Sequence, residues 1–465
     1  MAKPTVLIIG TTDTKLEEIL YLQVKILQEA ACETTILDVS HTASKNPALS
    51  QIPEHEILSP LHAQSESLKS LSRGDYIDKA IDVCSPIVRG LVASGQIHGI
   101  VSAAGSSGSA LATALMRNAC PVGFPKLMVS TMASGDIKHY VQETDITMMY
   151  SVVDIAGINS VMTRILSNAA AAISGMASAY AKSTSQQPGS QTTGKRIAIT
   201  MFGNTTPCVD HIRRILTSTP HDVSQYEVIV FHATGAGGRA MERLIADGQI
   251  DAVIDLTTTE IADELFGGVL SAGPDRLEIA AKKGLPMVVS VGACDMVNFG
   301  PKDTVPEKYN DRKLLVHNPA VTLMRTSSDE SRKIGRFITD KLTTFAKEPS
   351  SIRVLIPTKG ISAVDAVGQP FYDPAADEAL FQAIDGGLEG SEIEVEKHQH
   401  HINDEEFAIQ VASALLEVMG VTPRHYRLSN ARRRKWSFDH GASVMLARRA
   451  SQLSDPPATN FSVDR

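Results

Sequence analysis

At 465 residues, with 43% hydrophobic and 21% charged positions, the chain has ordinary globular usage and is too long for one hydrophobic core, so two domains of roughly 200 residues are expected. A formal net charge of -8 gives no strong nucleic-acid signal, because phosphate neutralisation needs a basic face. No apolar run approaches the roughly 18 residues that span a bilayer, which excludes a membrane helix.

The first apolar stretch, TVLIIG (5–10), runs straight into Thr11-Thr12-Asp13 with no small-residue cleavage site. It predicts a first strand and a cytoplasmic protein. Four more Val- and Ile-rich runs follow: TTILDV (34–39), GIVSAAG (99–105), KLMVST (126–131) and ITMMY (146–150). Continuous runs of this kind predict strands buried on both faces, as in a parallel sheet. Between the first two, Lys15 to Gln28 predicts a helix with Leu16, Ile19, Leu20, Gln23 and Leu27 as its apolar stripe. The alternation predicts an α/β, Rossmann-like, doubly wound domain with ligands at the C-terminal ends of its strands.

From Ala181 the stretch AKSTSQQPGSQTTG has almost nothing to bury and reads as a linker. A second series then repeats the plan with RIAITMFG (196–203), EVIVFHATG (227–235), AVIDLTT (252–258), MVVSVG (287–292) and RVLIPT (353–358), and with a helix over Gly238 to Ile245. The expected organisation is an N-terminal domain over 1–182, a linker over 183–194, a second doubly wound domain over 195–420 and a basic, poorly ordered tail over 421–465. Arg432, Arg433, Arg434 and Lys435 of that tail read as a solvated run. Cys32, Cys84, Cys120, Cys208 and Cys294 form no CxxC pair and are expected to be reduced, packed thiols.

Three polar loops leave strands of the first half. In Gly10-Thr11-Thr12-Asp13-Thr14-Lys15, small and hydroxyl residues lead into a helix, where amides and the dipole meet a phosphate; Thr12 or Asp13 equally suits a helix cap. Ala104-Gly105-Ser106-Ser107-Gly108-Ser109 is the better anion loop, although it is neither a P-loop nor a GxGxxG fingerprint. Ser130 to Asp136 completes the rim, and Asp154 and Asn159 lie near a further helix start. In the second half Asn204, His232, Arg239, Asp295 and Asn298 sit at strand ends, and Gly237-Gly238-Arg239 suits a carboxylate or phosphate. His398, His400 and His401 read as an exposed turn, not a metal site. No catalytic set and no metal ligands can be assembled.

GTTDTK, GSSGS, VSTMASGD, SVVDIAGIN, TMFGNTTPCV, FHATGAGGRAMERL, DLTTTEIADELFGG, SVGACDMVNFGP, KGISAVDAVGQPFYDP and HINDEEF are similar, in order, to the motifs of the tomato-mosaic-virus-resistance type of ATP-binding proteins. That family holds the plant inhibitor of tobamovirus RNA replication and many bacterial and fungal relatives. The resemblance implies a nucleotide-binding N-terminal domain, a homodimer, and ATP with Mg2+ as ligand. On matching motifs it places ATP contacts at Asp13, Thr14, Lys15, Arg73, Gly105, Ser106, Ser107, Gly108, Thr131, Ser134 and Gly135. Ala104 and Ser107 depart from the plant protein's more Gly-rich loop, and the TIM barrel fused to many longer members is not part of this sequence. Two functions therefore stand at this point. One is an ATP binder whose nucleotide helps dock a protein partner; the other is an enzyme on a small phosphorylated or carboxylated metabolite in an interdomain cleft.

Overall fold

The computed structural model describes residues 3–421 apart from 29–31, 43–45, 47, 50–51, 63–67, 69, 186–193 and 218–225. The first half contains β1 (Thr5–Gly10), α1 (Leu16–Gln28), β2 (Glu33–Asp38), β3 (Ile57–Leu58), α2 (Arg73–Ala93), β4 (Gly99–Ala104), α3 (Ser106–Ala119), β5 (Lys126–Ser130), α4 (Lys138–Val141), β6 (Thr147–Tyr150) and α5 (Ser160–Ser185). All its strand pairs are parallel, in the order β3-β2-β1-β4-β5-β6. This is the doubly wound dinucleotide-fold order, whose winding reverses between β1 and β4. Helices α1 and α5 cover one face through Ile19, Leu22, Met162 and Leu166; α2 and α3 cover the other through Tyr76, Val88, Leu111 and Leu115.

Two local expectations are corrected. On α1 the buried stripe is Leu16, Ile19, Leu22, Gln23 and Ile26, whereas Leu27 is 46% exposed and Leu20 half-buried. The apolar face is turned toward Leu22 and Ile26, which the expected stripe passed over. Residues 183–185, assigned to the linker, are the last turn of α5, where Ser183 and Thr184 donate their hydroxyls back to the Tyr180 carbonyl at 2.8 and 3.0 Å.

The second half contains β7 (Lys195–Met201), α6 (Thr206–Thr217), β8 (Tyr226–His232), α7 (Ala236–Ala246), β9 (Ala252–Thr257), α8 (Thr259–Phe266), α9 (Glu278–Lys283), β10 (Met287–Gly292), β11 (Met296–Phe299), β12 (Leu314–Asn318), β13 (Val321–Arg325), α10 (Ser328–Phe345), β14 (Ile352–Pro357), α11 (Pro374–Leu388), β15 (Glu394–His398) and α12 (Glu405–Val418). Its main sheet is also parallel, ordered β15-β14-β10-β9-β7-β8. A three-stranded antiparallel sheet, β11-β13-β12, is added to it. The sequence reading missed this sheet, although the Asn318-Pro319 turn, closed by Ala320 N–H on Asn318 Oδ1 at 2.9 Å, marks its hairpin. The structure is thus α/β with two doubly wound parallel sheets. All five cysteines are buried and free, and no helix among the described residues is long and apolar enough to cross a membrane. The basic tail lies outside the described residues from Thr422 onward.

Candidate functional site

A cavity of about 760 Å³ opens where the first sheet's winding reverses, at the C-terminal ends of β1 and β4. It is lined by Thr11, Asp13, Thr14 and Lys15 after β1, by Gly105, Ser106, Ser107 and Gly108 after β4, by Thr131 after β5, and by Arg73 at the start of α2. The structure therefore gathers nine of the eleven residues that the resemblance implies as ATP contacts, among them Asp13, Thr14, Lys15, Arg73 and Thr131, around one space. Ser134 and Gly135 lie farther along the turn after β5 and are not part of the lining.

The loop after β1 is braced by hydrogen bonds that settle the cap question. Thr12, 1% exposed, donates its hydroxyl to Asp38 Oδ2 at 2.7 Å and its N–H to Asp38 Oδ1 at 3.1 Å. Asp13 Oδ2 accepts from the Thr42 N–H and hydroxyl at 3.2 and 3.0 Å, so neither residue is spent capping α1. Asp38 ends β2, where a dinucleotide fold uses an acid to hold ribose. Here both its oxygens are filled by Thr12 and by Ser40, and His62 lies 3.2 Å away without hydrogen-bond alignment. The Lys15 ammonium donates to the Ile155 carbonyl, tying the segment after β6 to this loop, and Asp154 of that segment faces the cavity. Asn159, by contrast, is a cap: its Oδ1 accepts from the Val161 and Met162 amides at 3.0 Å each.

The loop after β4 opens α3 with no side-chain cap and no acidic residue in the first turn. The earliest N–H groups of α3 therefore face the cavity without a protein acceptor of the usual kind, a ready anion site. Ser109 and Ser130 join this loop to the one after β5 through hydroxyls 2.6 Å apart. Arg73 stands at the N-terminus of α2, where the helix dipole disfavours a cation. Its position makes sense if an anion shares the cavity. The lining also includes an apolar and aromatic group, Val39, His41, Leu71, Tyr76 and Ile77, of which Tyr76 and Ile77 lie on the first turns of α2 with Arg73.

The second-half residues singled out above are engaged with the protein itself, Asn204 through Nδ2 on Met296 Sδ at 3.3 Å. Asp295 and Asn298 are fully buried, and Asn298 Nδ2 donates to Asp263 Oδ1 at 3.1 Å. His232 stacks on Phe202, and Arg239 donates to the Ser271 carbonyl at 2.9 Å. The glycine loop that suits an anion already holds one: Glu260 Oε1 accepts from the Gly235 and Gly238 amides at 2.6 and 3.0 Å. A Cβ on Gly238 would lie 2.1 Å from Glu260 Oε2, which is why glycine is required there. The histidine turn is half-buried, not exposed, with the His401 ring bonded to the Ser362 carbonyl at 2.9 Å. Among the described residues no group of three or more His, Cys, Asp or Glu is placed to hold a metal.

Sequence reasoning also missed two buried charge clusters. Arg276 meets Asp255, Glu260 and Glu242, and Arg325 meets Asp377 at 2.6 Å and Asp365 at 3.5 Å. Burial, then the Asp365 charge, pushes Asp377 up to about 8. A carboxyl raised this far above its unfolded value of about 4 holds its proton more tightly when folded, so its contribution to stability is lost as pH rises from about 4 through about 8. Asp377→Asn keeps the acceptor for Arg325 and removes the titration. Its urea midpoint is expected to fall less than the parent's between pH 5 and 9, and equal slopes would show that Asp377 does not carry this dependence.

Comparison with known proteins follows the same division. Residues 4–182 match the N-terminal domain, and residues 194–419 the C-terminal domain, of the Uncharacterised protein family UPF0261. The chain belongs to the UPF0261 family. It is 44% identical over 415 residues to a UPF0261 protein of Clostridium tetani (strain Massachusetts / E88), covering 89% of this chain and 98% of that one. It is 38% identical over 433 residues to the ToMV resistance protein Tm-1(GCR237) of Solanum lycopersicum, covering 89% of this chain but 56% of the tomato protein. Both bear out the resemblance drawn from the motifs. Among solved structures, Acinetobacter baumannii MurG aligns with 91% of this chain and 96% of its own at 10% identity and a TM-score of 0.22, a likeness that bears on neither site nor chemistry.

Proposed function

We propose that this UPF0261 protein binds ATP in the cavity of its N-terminal domain, as a homodimer that uses the nucleotide to dock a protein partner. The observation that carries the reading is the uncapped start of α3 opening onto a space lined by Lys15 and Arg73 and by apolar and aromatic side chains. Amides and the helix dipole favour phosphate, and the guanidinium adds charge-assisted hydrogen bonds. A dinucleotide fits less well, because the acid that would take its ribose is already consumed by Thr12 and Ser40. The donor set suits Mg2+ in the manner usual for nucleotide sites, with one or two carboxylates plus phosphate oxygens. Asp13 and Asp154 are the carboxylates of the cavity and would hold it, the ion supplying charge neutralisation on the phosphates. Met132, 39% exposed on the rim, supplies apolar surface beside the nucleotide for a partner.

A thermal melt with Mg-ATP tests the reading. Linkage adds about 2.7 kcal/mol of stability at a hundredfold excess over the dissociation constant, so the melting temperature is expected to rise with ATP. No shift at millimolar Mg-ATP would overturn the assignment. Turnover of labelled ATP above background would instead replace the binding role with a catalytic one.

A further inference from the structure

Among the described residues, the apolar and aromatic part of the cavity lining has spent its polar side-chain groups on the protein itself. The Tyr76 hydroxyl donates to the Val39 carbonyl at 2.8 Å, and burial, then the Asp13 charge, raises its pKa, which keeps that proton in place. His41 Nε2 donates to the Leu68 carbonyl at 2.9 Å, and the His41 ring meets Tyr76 edge-on with centroids 4.5 Å apart. The Thr42 amide and hydroxyl are both held by Asp13. Among the described residues, the side chains here still offer a planar ring apolar surface from Val39, Leu71 and Ile77 and a ring acceptor, His41 Nδ1. Every nucleobase carries an N–H donor on its edge, so a single acceptor meets all of them alike.

We infer that the cavity reads the phosphates of a nucleotide and not the identity of its base, so that its ligand class is nucleoside triphosphates in general. This rests on the nucleotide reading above. Strong selection between near-isosteric ligands requires buried groups that a wrong ligand leaves unpaired, and side chains of that kind are already satisfied here by Val39, Leu68 and Asp13. The cations and the α3 amides, in contrast, address the part that every nucleoside triphosphate shares.

Calorimetric titration of the full chain with ATP, GTP, CTP and UTP, each with Mg2+, decides the matter. The four affinities are expected to lie within about tenfold of one another, since the remaining differences are in stacked area. A wider spread overturns the inference and leaves the cavity assignment itself standing. If none of the four binds, inference and assignment both fall. Two variants sharpen the result. Arg73→Ala is expected to weaken all four nucleotides in parallel, and a changed ATP-to-GTP ratio would show the guanidinium reading a base. Tyr76→Phe is expected to leave the ratio unchanged, because its hydroxyl faces Val39; a shifted ratio would count against the inference even if the variant is less stable.

Discussion

Replacing Arg276 with methionine is expected to destabilise the C-terminal domain by about 3–5 kcal/mol or more, the range for breaking a buried ion pair from one side. Arg276 is 1% exposed and lies 2.5 Å from Asp255, 2.8 Å from Glu260 and 3.3 Å from Glu242. Burial alone would lower its pKa, but Asp255 and Glu260 outweigh burial and raise it well above the ordinary guanidinium value, so it is charged at every working pH. Without it three carboxylates share one dry space. Burial already pushes Glu242 and Glu260 upward, and in the variant they are stable there only when protonated. The loss should therefore be larger at pH 8 than at pH 5 in guanidinium denaturation. A loss below about 1 kcal/mol at pH 8 would show that the cluster is hydrated or that Asp255 and Glu260 do not depend on this partner.

The effect should reach the cavity of the N-terminal half. Glu260 anchors the amides that begin α7, and Arg243 of α7 donates to the carbonyls of Arg117 and Cys120 at 2.7 and 3.0 Å. Those carbonyls close the far end of α3, whose near end is the anion loop. A cation at a helix C-terminus stabilises the exposed carbonyls there. One helix thus carries the cavity at one end and the second half's guanidinium at the other.

How much of this was legible in the sequence follows from what each residue interacts with. Strands such as β9, whose six residues are all buried, announced themselves because a strand covered on both faces has no polar alternation to confuse it. The loops of the cavity were legible because they leave the ends of strands that neighbour one another in the sheet, and the strand order brings Gly105 beside Thr11 by the winding rule, whereas Arg73, at the start of α2, was indicated only by the family resemblance. What stayed hidden are pairings between distant segments. The Gly235–Gly238 loop looks like an anion site from its own residues, and only the fold places Glu260 in it. Asp38 looks like a free strand-end acid until Thr12 and Ser40 are found on it. Asp295 and Asn298 were expected at a strand end, yet Asn298 lies within β11, paired with Leu323 in the antiparallel sheet that the sequence reading missed, and nothing in their own neighbourhood of sequence reports their burial.

Substitutions at the anion loop should separate cleanly into a structural and a ligand effect. At Gly108 an added Cβ would lie 2.6 Å from the Ala104 Cβ, which is fixed to the backbone of β4 and has no way to yield. Gly108→Val is therefore expected to cost about 1–3 kcal/mol of stability, as overpacking does, and to lose nucleotide affinity with it. Gly105 differs. Its backbone, at φ -74° and ψ -167°, is extended and open to any residue, and an added Cβ has the Thr131 hydroxyl at 4.0 Å as its nearest neighbour. The methyl of Gly105→Ala fits the protein but stands on the cavity lining, so stability should change by less than about 1 kcal/mol while ATP affinity falls at least tenfold. Arg73→Ala, at an exposed position where the α2 dipole disfavours a cation, should also leave the melting temperature nearly intact and weaken ATP by about 1.5–3 kcal/mol, the worth of hydrogen bonds to a charged group. Its effect should shrink from ATP to ADP to AMP as terminal phosphates are removed, whereas that of Gly105→Ala should persist if the methyl crowds the phosphate nearest the sugar. Parent-like ATP affinity in Arg73→Ala would place the guanidinium away from the ligand. Parent-like affinity in Gly105→Ala would move the phosphates off the start of α3, the feature on which the nucleotide assignment most depends.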